Sequence, residues 1–300
     1  MTRLEGLFPA LTTPFAGEGV ALERLRANLA CYESTGVAGY LLLGSTGEAA
    51  LLDEAERRPL VAAAREAVPP GKPLIVGVLA ESTAGAARQA RDAGEDGADA
   101  VLLGVPHYYR DQMTPAALLA HFTEVAERSP VPVLLYNVPK FTALPVPADV
   151  VGELSRHENV AGMKDSSGDL GYLRGVVARA ATGFRVLCGD SSVLREALAA
   201  GASGAVLAAA AVFPEPLAAI VRSPTAGEAD RLQHAVRAAT RPLRAHGIAG
   251  IKAAMDLRGL HGGTPRAPLR AATPEARAEI ERGIERLVSG GTLPRRTLAP

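Results

Sequence analysis

Eight short apolar runs recur along this chain, each followed by a stretch long enough for a helix, and this period limits the available folds more than any other feature. The runs are "FPALTTPF" from Phe8, "GYLLLG" from Gly39, "LIVGVL" from Leu74, "ADAVLLG" from Ala98, "VPVLLYN" from Val131, "VAGMK" from Val160, "RVLCGD" from Arg185 and "GAVLA" from Gly204. Runs that are apolar throughout suit the strands of a parallel sheet covered on its faces. The stretches between them read as helices. Leu22, Leu25, Leu29 and Tyr32 fall on one face of a 3.6-residue period. Thr114 followed by Pro115 is an N-cap and first-turn pair, ahead of Leu118, Phe122 and Val125 on a common stripe. Pro59 inside "DEAERRPLVAAAREAV" predicts a kink or a late helix start. Eight strand-helix units predict an α/β protein with a (β/α)8 TIM barrel, a doubly wound sheet being the weaker alternative. The barrel is assigned to residues 1–224. Residues 225–300, rich in Ala and Arg and ending in "GGTLPRRTLAP", are read as a C-terminal helical extension packed on the barrel in the same unit.

With 300 residues, 48% hydrophobic, the chain is long enough for a full core. Its formal net charge is zero and its basic residues are scattered, which leaves no electrostatic footprint for nucleic acid or an anionic membrane. Small molecules and other subunits are the expected partners. The run "GAVLAAAAVFPEPLAAIV" is broken by Pro214, Glu215 and Pro216, which a membrane span would not carry at its centre. The start "MTRLEGLFPALTTPF" has no apolar segment leading to a cleavage site, so a cytoplasmic protein is expected. Cys31 and Cys188 lie far apart, and the six histidines show no H-x-x-x-H pair, so neither a disulfide framework nor a metal site is expected. The glycine-rich nucleotide motifs are missing as well, and no cofactor is expected.

The stretch "VAGMKDSSGD", Val160 to Asp169, places a lysine at the mouth of a core strand. Of the 32 basic residues only Lys72, Lys140, Lys164 and Lys252 are lysines; the rest are arginines. A site that keeps lysine points to something arginine cannot supply, an amine able to lose its proton and attack a carbonyl. An ammonium in a partly dry pocket loses solvation, which favours the free amine. The competing reading is a charge that reaches out from a strand end into solvent.

In a barrel the reactive residues lie at the C-terminal ends of the strands. "GSTGE", "GVPHYY", "YNVP", "MKDSSGD" and "CGDSS" all end strands and converge on one mouth. Tyr136, one strand before Lys164, is placed to carry protons, or else is a packed ring with its hydroxyl tied down. In "GSTGE", hydroxyls and backbone N–H groups between glycines suit a carboxylate, although the same residues serve ordinary turns. Glu48 reads as a first-turn or surface charge, and Asp165 and Asp190 as loop and cap residues. Tyr108 and Tyr109 suit loop packing or a subunit interface.

Taken together, "GSTGE", "YNVP" and "GMKDSSGD", on strands two, five and six, resemble the dihydrodipicolinate synthase and N-acetylneuraminate lyase family of class I aldolases. The resemblance runs from "GLFPALTTPF" to "APL" at Leu269. It implies that Lys164 forms a Schiff base with pyruvate or another 2-oxo acid, with Tyr136 as proton shuttle. Thr46 would bridge Tyr136 to Tyr108, the latter arriving from a neighbouring subunit of a homodimer or homotetramer. Ser45 and Thr46 would hold the substrate carboxylate, the Val206 carbonyl would face Tyr136 or the keto acid, and Gly189 would leave space at the pocket floor. In members that use aspartate semialdehyde an arginine stands two residues after the proline of "YNVP". Here Phe141 takes that place, and Ala143 stands where many relatives have glycine. "AESTAGA", "HYYRDQMTPAALLAHF" and "GIAGIKAAMDLRGLHGGTPRAPL" are similar to segments of 4-hydroxy-2-oxoglutarate aldolases. The leading expectation is that activity, giving pyruvate and glyoxylate. The alternatives are the synthase that condenses pyruvate with aspartate semialdehyde, and a non-catalytic relative that binds 2-oxo acids.

Overall fold

A computed structural model describes residues 4–223 and 225–294, so the last six residues of the polar C-terminal segment lie outside the described residues. All eight apolar runs form parallel strands: β1 (Gly6–Pro9), β2 (Tyr40–Leu42), β3 (Leu74–Val78), β4 (Ala100–Gly104), β5 (Val133–Asn137), β6 (Val160–Asp165), β7 (Arg185–Cys188) and β8 (Gly204–Leu207). Each is hydrogen-bonded to the next from β2 to β8, and β8 pairs with β1. The ring closes between β1 and β2 through the parallel bridge Ala10–Leu41 and the bonds Leu11 N to Leu41 O (2.8 Å) and Ala38 N to Leu7 O (2.8 Å).

β1 is shorter than its apolar run. It stops at Pro9, and Phe15–Ala16 turns back on Gly19–Val20 as a small antiparallel pair. Two prolines in the run, Pro9 and Pro14, have no N–H to give a ladder, and Thr13 instead donates its hydroxyl to Gly47 O at 2.6 Å. That bond ties the end of the first run to the "GSTGE" loop.

The crossovers are α1 (Leu22–Tyr32), α2 (Glu54–Ala67), α3 (Thr83–Glu95), α4 (Pro115–Arg128), α5 (Ala148–Leu154), α6 (Leu170–Arg179), α7 (Leu194–Ala199) and α8 (Pro214–Arg222). Leu25, Leu29 and Tyr32 of α1 are buried as their spacing predicts, each leucine contributing roughly 1.5–3 kcal/mol. In α4 the Thr114 hydroxyl accepts from Ala117 N at 3.2 Å, and Leu118, Phe122 and Val125 are buried. The late start expected of α2 does not occur. Its N-terminus is set at Glu54 by Glu56, whose carboxylate accepts from Asp53 N at 3.0 Å, and the helix continues past Pro59 to Ala67. Pro59 and residue 55, whose carbonyl loses its partner, are both exposed, so the missing bond leaves no buried acceptor unsatisfied.

Two further helices follow, α9 (Ala226–Leu257) and α10 (Pro274–Ser289), packed on each other, with α9 also against α8. α9 is broken at Gly247, whose φ of 57° and ψ of −136° suit only glycine. Side chains inside the ring, among them Phe8, Leu41, Ile75, Leu102, Leu134, Leu187 and Val206, form one cluster; a larger one fills the layer between strands and helices. Among the described residues no helix is long and apolar enough to cross a membrane.

After β5 a single helical turn, Pro139–Thr142, ends on Ala143 at φ 50° and ψ 21°. A left-handed conformation strains any residue with a Cβ, which explains why glycine suits this place. Ala143→Gly is expected to stabilise the fold by about 0.5–1 kcal/mol after allowing for the freer unfolded chain. A denaturant midpoint that stays put or falls would show that the strain is absent.

Candidate active site

The register of the sheet builds the centre of the site. Tyr136 of β5 stands opposite Lys164 of β6, and Asn137 opposite Asp165. Successive side chains on a strand point to opposite faces, so Tyr136 and Lys164 share one side of the sheet and Asn137 and Asp165 the other. Tyr136 and Lys164 are 3% and 4% exposed, and Tyr136 packs within the cluster inside the ring. The Lys164 amine lies 3.5 Å from the Tyr136 hydroxyl, at the outer limit of a hydrogen bond, and 4.5 Å from the ring centre. The reading of Lys164 as a charge reaching into solvent is thereby excluded.

Behind this pair a polar network holds the two strand ends in register. Asn137 Nδ2 donates to Asp165 Oδ1 at 2.8 Å, and Asn137 Oδ1 accepts from Val146 N at 3.1 Å. Asp165 also accepts from Ser167 N (3.0 Å) and Ser167 Oγ (2.9 Å). Burial pushes the Asp165 carboxyl above its usual range, opposed by the bonds from Asn137 and Ser167. Asp165 is therefore a buried strand residue, not the loop residue expected, and it is Asp169 that caps α6 by accepting from Gly171 N and Tyr172 N.

"GSTGE" curls into a tight turn, Ser45–Gly47, beside the same pair. Ser45 Oγ shares a hydrogen bond with Tyr136 Oη at 3.2 Å. The hydroxyl that reaches Tyr136 thus belongs to Ser45, where the sequence suggested Thr46. A turn this tight sends successive side chains in different directions, and only the first of the two aims at β5. Thr46 lines the same cavity. The N–H groups of Gly47, Glu48 and Ala49 bond back to Gly44 and Ser45 within the turn, whereas those of Ser45 and Thr46 make no bond among the described residues.

Glu48 overturns its reading as a surface charge. It sits at φ 56° with its side chain fully buried, 2.5 Å from Lys252 Nζ, and its other oxygen accepts from Arg266 N at 2.7 Å. Lys252 also donates to Thr13 O (2.9 Å) and Thr264 O (3.2 Å), and lies over the Phe15 ring. Its pKa is lowered by burial, against the pull of Glu48. The chain therefore buries two lysines in opposite ways. Lys252 spends its three N–H groups on protein acceptors and a carboxylate, whereas among the described residues Lys164 has a single long bond to Tyr136 and no carboxylate in ion-pair range. A cation without a counter-ion is costly to bury, and an amine with open space beside it is free to react.

That space is a cavity of about 180 Å³ lined by Ser45, Thr46, Tyr136, Lys164, Ser166 and Gly189 at its inner end. A Cβ on Gly189 would fall 2.1 Å from Ser166 Oγ and 2.9 Å from Asp165 O, so the strand end admits only glycine there. Val206 is buried on β8 within the inner cluster, below the lining residues. The outer wall comes from α9, through Thr240, Leu243, Arg244, Gly247, Ile248 and Ile251, a contribution with no signal in the strand-end motifs. Lys140 and Phe141 stand on the rim, Phe141 58% exposed. Tyr108 is not brought to the pair within this chain. It is 77% exposed, stacked edge-on against Tyr109, and its loop is held by Glu81, which accepts from His107 N and Tyr108 N. Among the described residues no three His, Cys, Asp or Glu side chains come together as a metal ion requires.

A closed parallel barrel with a buried lysine beside a tyrosine at its C-terminal mouth suits a lyase of the class I aldolase type, the class that the comparisons with known proteins give this chain. The Dihydrodipicolinate synthetase family profile matches residues 3–287, and the chain belongs to that family. It is 31% identical to a 4-hydroxy-tetrahydrodipicolinate synthase of Methanospirillum hungatei, over 94% of this chain and 99% of the other. It is 34% identical to the protein of that name from Methanosphaerula palustris, over 92% and 97%. A crystal structure of a dihydrodipicolinate synthase from Bacillus anthracis superimposes with a TM-score of 0.91 at 27% identity, covering 98% of this chain and all of that one.

Proposed function

We propose that this lyase joins a pyruvate-type 2-oxo acid to an aldehyde through an imine on Lys164, as a 4-hydroxy-tetrahydrodipicolinate synthase acting on pyruvate and aspartate semialdehyde. The observation that carries the chemistry is the buried Lys164 amine, free of any carboxylate among the described residues and 3.5 Å from the Tyr136 hydroxyl. The free amine attacks C2 of the keto acid; water leaves, and a protonated imine remains. That nitrogen withdraws electrons, so a proton on the adjacent methyl carbon becomes acidic and Tyr136 takes it, giving an enamine. The enamine carbon then attacks the aldehyde carbon, the new alkoxide takes up a proton, and attack on the re-formed imine carbon by water or by the acceptor's own amine breaks its bond to nitrogen and frees Lys164. Ser45, bonded to Tyr136, keeps the phenol oriented, while the unbonded N–H groups of Ser45 and Thr46 are suited to the keto acid's carboxylate. Gly189 keeps the floor open.

The relatives' names move the acceptor from glyoxylate, expected from the sequence, to aspartate semialdehyde. Phe141 is the observation that favours the 4-hydroxy-2-oxoglutarate aldolase branch, since no guanidinium stands at that position. Tyr108 enters, in this reading, from a second copy of the chain. An exposed pair of stacked aromatic rings on a loop braced by Glu81 suits a subunit contact, and a homodimer or homotetramer would complete the relay.

Borohydride added to the protein with pyruvate should fix a pyruvate-derived mass on Lys164; failure to trap it across a range of pH and pyruvate concentration would leave only a binding role. Turnover of pyruvate plus aspartate semialdehyde should exceed cleavage of 4-hydroxy-2-oxoglutarate, and the reverse order would restore the aldolase branch. Tyr136→Phe should lower kcat by roughly 10²–10⁴-fold while pyruvate still binds, because the ring stays and only the proton carrier goes. A kcat within a few fold of the parent's would remove Tyr136 from the mechanism.

A further inference from the structure

Some arginines of this chain are held by firm partners. Arg266 grips Glu56 at 2.6 Å through two nitrogens, and Arg58 forks onto Asp96 at 2.7 and 2.9 Å. Arg244 is different. It lines the cavity that holds Lys164, it makes no hydrogen bond among the described residues, and its closest carboxylate, Asp190 Oδ1, is 3.6 Å away. Asp190 lines the same wall. Its Oδ1 already accepts from Ser192 N and Ser192 Oγ, both at 2.7 Å, and its Oδ2 has no hydrogen bond among the described residues. The Arg244 guanidinium and the Asp190 carboxylate therefore line one cavity 3.6 Å apart, too far for a hydrogen bond. Neither is deeply buried: the side chains are 42% and 28% exposed, open to a ligand entering from the mouth. Lys140, the other cation on the rim, is out in solvent beside Phe141.

We infer that Arg244 and Asp190 form the acceptor subsite and read a zwitterionic α-amino-acid end, the carboxylate on Arg244 and the ammonium on Asp190. This rests on the imine reading of Lys164 and assigns to α9 the recognition that an arginine at position 141 would otherwise supply. The two charges also choose between acceptors, because an aldehyde bearing only a carboxylate uses Arg244 and leaves Asp190 idle. The placement depends on Gly247, whose kink lies three residues beyond Arg244 on the cavity wall.

The test uses the full chain with pyruvate as donor and two acceptors, aspartate semialdehyde and succinate semialdehyde, which lacks the amine. Arg244→Met should raise KM for both acceptors by about 10- to 100-fold. Asp190→Asn keeps an oxygen for Ser192 and should raise KM for aspartate semialdehyde alone, so the preference for the amine-bearing acceptor falls by about tenfold. Arg244→Lys should recover part of the loss, and Lys140→Met should shift either KM by less than about twofold. The pyruvate dependence of borohydride trapping, which needs no acceptor, serves as the reference in each variant. Trapping with unchanged acceptor KM values in Arg244→Met overturns the subsite alone. No trapping in the parent protein overturns the imine reading, and the subsite with it.

Discussion

Lys164→Arg should lose at least about 10⁵-fold in kcat/KM and all borohydride-trapped adduct, although it preserves the positive charge. A guanidinium does not give up its proton near neutral pH and cannot form the imine. A guanidinium is also bulkier than an ammonium, so a companion variant is needed to separate chemistry from folding. Lys164→Met serves. It matches the lysine closely in length, and because Lys164 holds no ion pair among the described residues, removing its amine strands no buried carboxylate. Its denaturant midpoint should stay close to the parent's while activity vanishes. Residual turnover above about one part in a thousand in purified Lys164→Met would mean that another group carries the reaction.

Glu48→Ala should act in the opposite sense, on the fold first. Lys252 would be left as a fully buried cation with backbone carbonyls but no counter-charge, a loss of about 3–5 kcal/mol. The double variant Glu48→Ala with Lys252→Met removes both charges and should regain most of that stability, so the cycle isolates their coupling. Activity should not return in step. Glu48 directly follows Ser45–Gly47, and its carboxylate, with Lys252, Thr13 and Arg266, ties the base of that turn to the end of the first apolar run and to α9. Once loosened, the turn should present Ser45 to Tyr136 less well, so KM for pyruvate rises even where the midpoint has recovered. If the double variant regains stability and KM together, Glu48 serves the fold only; if the single variant loses less than about 1 kcal/mol, the pair is not buried as described.

These two lysines also show how far one-dimensional reasoning reaches. Lys164 could be singled out because it breaks an apolar run at a strand end, and in a parallel barrel every strand end opens on the same face. Tyr136 followed from the same logic one strand earlier. Lys252 sits inside a helical pattern with nothing in its spacing to mark a partner, and Glu48 looks like any acid after a glycine turn. Their meeting joins residues 204 positions apart, and no local pattern encodes that distance.

What the chain's order of residues determined by itself is the barrel and the placing of Lys164 beside Tyr136 at its mouth. Hydrophobic period sets strand and helix locally, and the one-residue alternation of a strand decides which side chains look inward. The tertiary structure alone decided which hydroxyl touches Tyr136, that α9 crosses the mouth, and that Arg244 and Asp190 face the cavity. Those outcomes depend on how a turn coils by one residue and where a distant helix comes to rest, and burial of the whole core sets both, not the residues at the contact.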